Sequence, residues 1–138
     1  MRIVWLDDDG ELLENAVVAL RRAGYVVDML TNVGDAWKFL EENAPTIDGL
    51  ILDIMMATGE LLSEENTNGG MRAGAVFLRK FLQNSATSGI KVFVYTIVED
   101  EAVRTAVSDL KIKYFRKQSY PGQAIVQLVR EEFGEVPK

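Results

Sequence analysis

The chain has 138 residues, 48% of them hydrophobic, with 21 acidic against 15 basic side chains and a formal net charge of -6. That is the size of one ordinary domain with a single core, and the acidic balance argues against binding nucleic acid or anionic membrane through a general basic surface, which needs clustered Lys and Arg. Cysteine and histidine are both absent, which removes disulfides, thiolate nucleophiles, most hydrolytic triads and nearly all zinc chemistry, and leaves side chains suited to hard cations bound through oxygen.

Short apolar runs alternate with segments of helical period, the pattern of a parallel sheet covered by helices. Arg2 to Leu6 reads as the first strand, and because Met1-Arg2 leads straight into it, no signal peptide is expected. Leu12, Leu13, Ala16, Val17, Leu20 and Ala23 repeat at helical spacing up to a stop at Gly24. Tyr25 to Leu30 is the second strand, and Asn32 is placed to cap a helix whose inward stripe is Val33, Ala36, Trp37 and Leu40, with Pro45 just beyond its end. Gly49 to Asp53 forms the third strand. A long polar segment, about 54 to 70, follows before a helix carrying Phe77, Leu78, Phe81 and Leu82. Lys91 to Thr96 is the fourth strand, and Ala102, Val103, Ala106, Val107 and Leu110 mark the fourth helix. A fifth strand near Ile112 to Phe115 leads to a last helix, with Ser119 as cap, Pro121 in its first turn, and Ile125, Leu128 and Val129 inward. Residues 134 to 138 are expected to fray. The first, third and fourth strands are nearly continuous apolar runs, as in a sheet covered on both faces. Trp5, Trp37, Phe77, Phe81 and Phe93 fall on buried strands or helical stripes and are read as core. No apolar stretch reaches the length of a membrane span, so a soluble, cytoplasmic protein is expected.

In such a sheet, ligands gather beyond the carboxyl ends of the strands, near the point where strand order reverses. The polar residues converge there: Asp7, Asp8 and Asp9 follow the first strand, Asp53 ends the third, Thr96 ends the fourth, and Lys117 lies past the fifth. Each has a bland reading on its own, as a solvated strand end, a β-branched strand residue or a surface lysine. Two carboxylates about 4 Å apart at an effective dielectric of about 20 repel by roughly 4 kcal/mol, so the acidic cluster calls for a metal, a lysine or protonation. Three carboxylates can hold one divalent cation and leave positions for water or phosphate oxygens, which suits Mg²⁺ better than zinc. Lys117 and Thr96 would then supply donors around a phosphoryl group, with Asp53 as an ionised nucleophile that needs no histidine base.

These residues resemble the receiver domain of two-component response regulators, the CheY-like domain, over essentially the whole chain. Leu6-Asp7-Asp8-Asp9 looks like that family's acidic loop, Leu52-Asp53-Ile54-Met55-Met56 like its phosphoacceptor segment, Val94-Tyr95-Thr96 like its fourth strand, and Tyr114-Phe115-Arg116-Lys117 like its fifth. The resemblance implies a single flavodoxin-like (βα)5 domain: a doubly wound five-stranded parallel sheet with strand order 2-1-3-4-5. It further implies Mg²⁺ held by Asp7, Asp8, Asp53 and the backbone carbonyl of Met55. Asp53 would accept a phosphoryl group from the phosphohistidine of a sensor histidine kinase or phosphotransfer protein. Thr96 and Lys117 would bond the phosphoryl oxygens, Tyr114 would be the switch aromatic, and Asp9 would cap the first helix. Such a module signals without being a turnover enzyme, switches a face made by the fourth helix, fifth strand and fifth helix toward a downstream effector protein, and is expected as a monomer or weak homodimer.

Several positions depart from the pattern. Ala57 stands where proline often follows the Met-Met pair, and Gln118 replaces the proline that commonly follows the lysine, so a trans peptide or a strained loop is expected there. Ile97 occupies a usually small position and, with Val98 and Met55, is placed to narrow access to Asp53. The segment around 58 to 70 reads as a solvated loop, with Leu61 and Leu62 as anchors if it covers the site instead. Ile97 and Gln118 motivate one rival, a degenerate receiver acting only as a protein-interaction module; the residue types also fit an Mg²⁺-dependent phosphohydrolase with an aspartyl nucleophile, against which stands the compact chain, with no obvious cap domain for a substrate. A flavodoxin-type FMN site is disfavoured because the aspartates would repel its phosphate, and there is no G-x-G-x-x-G or P-loop.

Overall fold

The computed structural model describes residues 1–7, 13–53, 73–84, 87, 89–97, 101–121 and 123–136, without the side chains of 73–77, 102, 103 and 106. Strands β1 (Arg2–Leu6), β2 (Val26–Leu30), β3 (Gly49–Leu52), β4 (Lys91–Thr96) and β5 (Lys113–Arg116) alternate with helices α1 (Glu14–Arg22), α2 (Val33–Asn43), α3 (Ala73–Gln83), α4 (Glu101–Asp109) and α5 (Ala124–Phe133). The strands form one parallel sheet in the order β2-β1-β3-β4-β5. This is the doubly wound (βα)5 arrangement expected from the sequence.

The side-chain alternation of the strands divides the core into two layers. Val4, Leu6, Leu50, Leu52 and Val94 face Val33, Ala36, Leu40, Leu78, Phe81 and Val107 of α2, α3 and α4. Ile3, Trp5, Ile51, Phe93 and Tyr95 face Leu20, Ile125, Leu128, Val129 and Phe133 of α1 and α5. All residues of β3 are buried, which is why that strand reads as an uninterrupted apolar run. Trp5, Phe81 and Phe93 are fully buried and Trp37 partly so, as expected, while the Phe77 side chain lies outside the description. Gly49 is required where it stands: a Cβ there would come within 2.7 Å of the Phe133 ring, so its absence lets α5 close on the start of β3.

Helix ends divide into those fixed by local chemistry and those set by tertiary contacts. Asn32 Oδ1 accepts the Asp35 N–H at 2.9 Å, so the expected cap of α2 is present. Gly24 has φ +100° and ends the turn after α1. The cap expected from Asp9 is not the one found. Asp9 itself lies outside the described residues, and the N-cap of α1 is Leu13, which makes no side-chain capping bond. Ser119 does not cap α5 either. Residues Lys117–Ser119 form a 3-10 turn, and α5 begins only at Ala124, whose N–H donates to the Pro121 carbonyl at 3.1 Å. Of the tail expected to fray, residues 134 to 136 are held: Tyr25 Oη donates to the Gly134 carbonyl at 2.8 Å, and Val136 packs on the α1 and α5 layer beside Gly24.

Candidate functional site

The register places the two central aspartates side by side. Leu6 of β1 pairs with Leu52 of β3. One residue further on, Asp7 N–H donates to the Leu30 carbonyl at 3.0 Å and Asp53 N–H to the Leu6 carbonyl at 2.9 Å. The ladder thus continues one step past both strands and fixes both carboxylates at the β1–β3 boundary, where strand order reverses. Asp7 and Asp53 are 0% and 3% exposed, unusual for carboxylates unless paired.

Their partner is Lys117, from the turn after β5. Its Nζ lies 2.6 Å from Asp7 Oδ2 and 3.0 Å from Asp53 Oδ2. The other oxygen of Asp53 accepts the Thr96 hydroxyl at 2.5 Å. Both oxygens of Asp53 therefore face a donor, one charged and one neutral, and such charge-assisted bonds are the strong ones. Burial by itself would push the Lys117 ammonium down, but the Asp53 charge, with the bond and charge of Asp7, outweighs it, and the net shift is upward from 10.5. The lysine is firmly protonated at neutral pH.

Of the residues singled out from the sequence, Asp7, Asp53, Thr96 and Lys117 meet at this point. Asp8 and Met55 lie outside the described residues, as do Ala57, Val98 and the segment around 58 to 70. Among the described residues no group of three or more acidic, histidine or cysteine side chains is placed to hold a metal ion. Asp7 and Asp53 nevertheless offer buried carboxylate oxygens converging on one cation, a donor chemistry that fits a hard divalent ion such as Mg²⁺. Tyr114 sits apart, half-buried on β5 against the α2, α3 and α4 layer, with the Arg104 guanidinium of α4 5.9 Å from its ring centroid. Ile97, just past Thr96, is 55% exposed. No cis peptide occurs among the described residues, so Lys117 and Gln118 are joined in trans, one of the two expected outcomes. A groove between α1 and α5, lined by Ala19, Arg22, Val126 and Arg130 among others, contains none of these residues.

Sequence reasoning passed over Tyr95. It is 3% exposed, stands edge-on to Trp5 with centroids 5.8 Å apart, and donates from Oη to the Tyr120 carbonyl at 2.6 Å. Burial raises its hydroxyl above the ordinary value of 10.0, partly countered by the Lys117 charge. A tyrosine in a buried strand needs a partner for its hydroxyl, and that was the available signal.

No model of a known protein family matches the sequence, and no curated protein sequence does. Solved structures do match. A CheY-like response regulator receiver domain protein from Methanospirillum hungatei JF-1 superposes with a TM-score of 0.75 at 18% identity, covering 96% of this chain and 92% of its own. A response regulator receiver domain protein from Clostridium thermocellum gives 0.73 at 20% identity, covering 96% and 93%. A response regulator solved in its Mn²⁺-bound form gives 0.75 at 19%, covering 99% and 96%. The class defined is thus the doubly wound flavodoxin-like domain. Within it, the chain has the fold of response-regulator receiver domains.

Proposed function

We propose that the chain is a phosphoacceptor receiver of a two-component phosphorelay. The observation that carries this is the set of bonds to Asp53: a buried carboxylate at the end of β3, with Thr96 on one oxygen and Lys117 on the other. An Asp53 oxygen attacks the phosphorus of a phosphohistidine in a sensor kinase or phosphotransfer protein. The P–N bond breaks with its electron pair going to the imidazole nitrogen, and an acyl phosphate forms on Asp53. Lys117 and Thr96, already within bonding distance of the carboxylate, then donate to the phosphoryl oxygens. Asp7 and Asp53, with Asp8 and the Met55 carbonyl, would hold Mg²⁺. When bound, the metal supplies positive charge against the phosphoryl oxygens. Phosphorylation biases Thr96 toward the phosphate and Tyr114 toward the space it leaves, changing the face of α4, β5 and α5 read by an effector protein. The module is a switch rather than a turnover enzyme.

Incubation with Mg²⁺ and a small acyl phosphodonor, followed by intact-mass measurement, should add one phosphoryl group to the wild type and none to Asp53→Asn. A wild type that stays unmodified, under conditions that phosphorylate a control receiver, would leave the degenerate receiver as the better reading. That rival draws its support from Gln118 and from the exposed Ile97 beside the site.

A further inference from the structure

Lys117 reaches Asp7 and Asp53 from a short turn whose sequence gives it little rigidity. With Gln118 after the lysine, no pyrrolidine ring fixes the backbone. The 3-10 turn Lys117–Ser119 makes no side-chain capping bond, and its closing bond, Tyr120 N–H to the Lys117 carbonyl, is 3.2 Å long. What grips the turn lies outside it. The Tyr120 carbonyl accepts the buried Tyr95 hydroxyl at 2.6 Å, and the Tyr120 ring stands edge-on to Phe115 with centroids 5.5 Å apart. Phe115 in turn is edge-on to Phe93, which stacks on Phe133 of α5. Tyr95 and Thr96 are consecutive, so alternation sends them to opposite faces of β4. Thr96 bonds Asp53 directly, while Tyr95, in the layer of Phe93, reaches round to the turn that delivers the other donor.

We propose that Tyr95 is a positioning residue for Lys117: its phenol, bonded to the Tyr120 carbonyl, anchors the turn that holds the ammonium between Asp7 and Asp53. One strand thereby sets both donors to Asp53. This assignment rests on the reading of Asp53 as phosphoacceptor for its functional meaning, but its geometry can be tested without any phosphorylation.

The molecule contains its own control. Tyr25 is also 3% exposed and also donates from its hydroxyl to a backbone carbonyl, that of Gly134 at 2.8 Å, but it lies at the opposite end of the sheet. Tyr95→Phe and Tyr25→Phe each delete one buried hydroxyl-to-carbonyl bond and keep the ring. In metal-free protein, limited acetylation with an amine-reactive reagent is followed by peptide mass spectrometry, with Lys113, whose side chain is 67% exposed, as the internal reference. Tyr95→Phe is expected to raise the labelling rate of Lys117 at least about fivefold relative to Lys113, whereas Tyr25→Phe leaves the ratio within about twofold of wild type. Equal labelling of Lys117 in wild type and Tyr95→Phe would overturn the proposal. So would an equal rise in both variants, which would reduce the effect to general loosening. If Tyr95→Phe does not fold, the wild type alone decides: the Tyr120 amide must exchange with deuterium at least about tenfold slower than an unstructured amide, and exchange at the unstructured rate overturns the anchor. A wild type that takes no phosphate on Asp53 defeats the phosphoacceptor reading and leaves these labelling results standing.

Discussion

At each end of the sheet one basic residue is shared between two aspartates, and the two knots differ chiefly in their access to water. At the carboxyl end, Lys117 bridges Asp7 and Asp53 with side chains 15%, 0% and 4% exposed. At the amino end, Arg2 bonds Asp28 through Nε at 2.8 Å and Asp48 through its backbone N–H at 2.8 Å, reaches Thr46 Oγ1, and lies over the Phe39 ring. There the Arg2 and Asp28 side chains are 28% and 29% exposed. An arginine with five donors ties β1, β2 and the approach to β3 together while keeping solvent contact. A lysine held by two dry carboxylates is a different object. Each charge there depends on the others, because burial of any one alone would be costly. The amino-end knot is a partly solvated staple, whereas the carboxyl-end knot is a buried cluster whose members rely on one another.

Removing the basic member should break this comparison most visibly. Lys117→Met leaves Asp7 and Asp53 without their shared cation and is expected to cost about 3 to 5 kcal/mol in urea unfolding without divalent metal. A loss under about 1 kcal/mol would make the two knots energetically alike. The difference should also show in alkali. The Lys117 proton is held more tightly in the folded chain than at the ordinary value of 10.5. The stabilisation it brings is therefore complete below about pH 10.5 and is lost as pH rises through the higher folded value. The gap in unfolding free energy between wild type and Lys117→Met should thus be level from about pH 7 to about pH 10 and shrink above that. The gap between wild type and Arg2→Met should not shrink, since arginine keeps its charge. Arg2→Met itself is the smallest effect, about 1 kcal/mol or less, because the pair is partly solvated and the methionine stem retains contact with Phe39. Thermal unfolding at low and high salt would check it.

What could be read from the sequence divides along the same line between local and distant causes. Strands β1, β3 and β4 were legible because both of their faces are covered and their residues form nearly continuous apolar runs. The Asn32 cap and the Gly24 stop were legible because their chemistry acts within a few residues. The start of α5 was misplaced because Ser119 is drawn into the turn of Lys117, and that turn is held by Tyr95, 25 residues away from its acceptor Tyr120. Gly134 is held by Tyr25, 109 residues away, and no periodicity announces such a contact. The Arg2 knot was missed for the same reason, its partners lying 26 and 46 residues away. Of the candidate site, Asp7, Asp53, Thr96 and Lys117 were legible as strand-end residues on one rim. Their shared hydrogen bonds were not, because they depend on register and on where the turn after β5 points its lysine.

The fully buried Trp5, edge-on to Tyr95 at 5.8 Å, has a consequence for how the protein can be observed. Over so short a distance, light absorbed by the phenol passes efficiently to the indole. The other indole, Trp37, belongs to the opposite layer on α2. A Trp37→Phe variant would leave Trp5 as the single indole emitter, its ring touching the same phenol that holds the Lys117 turn. The chain would then carry an intrinsic optical probe of that turn, with no dye attached and no change made at the carboxylates.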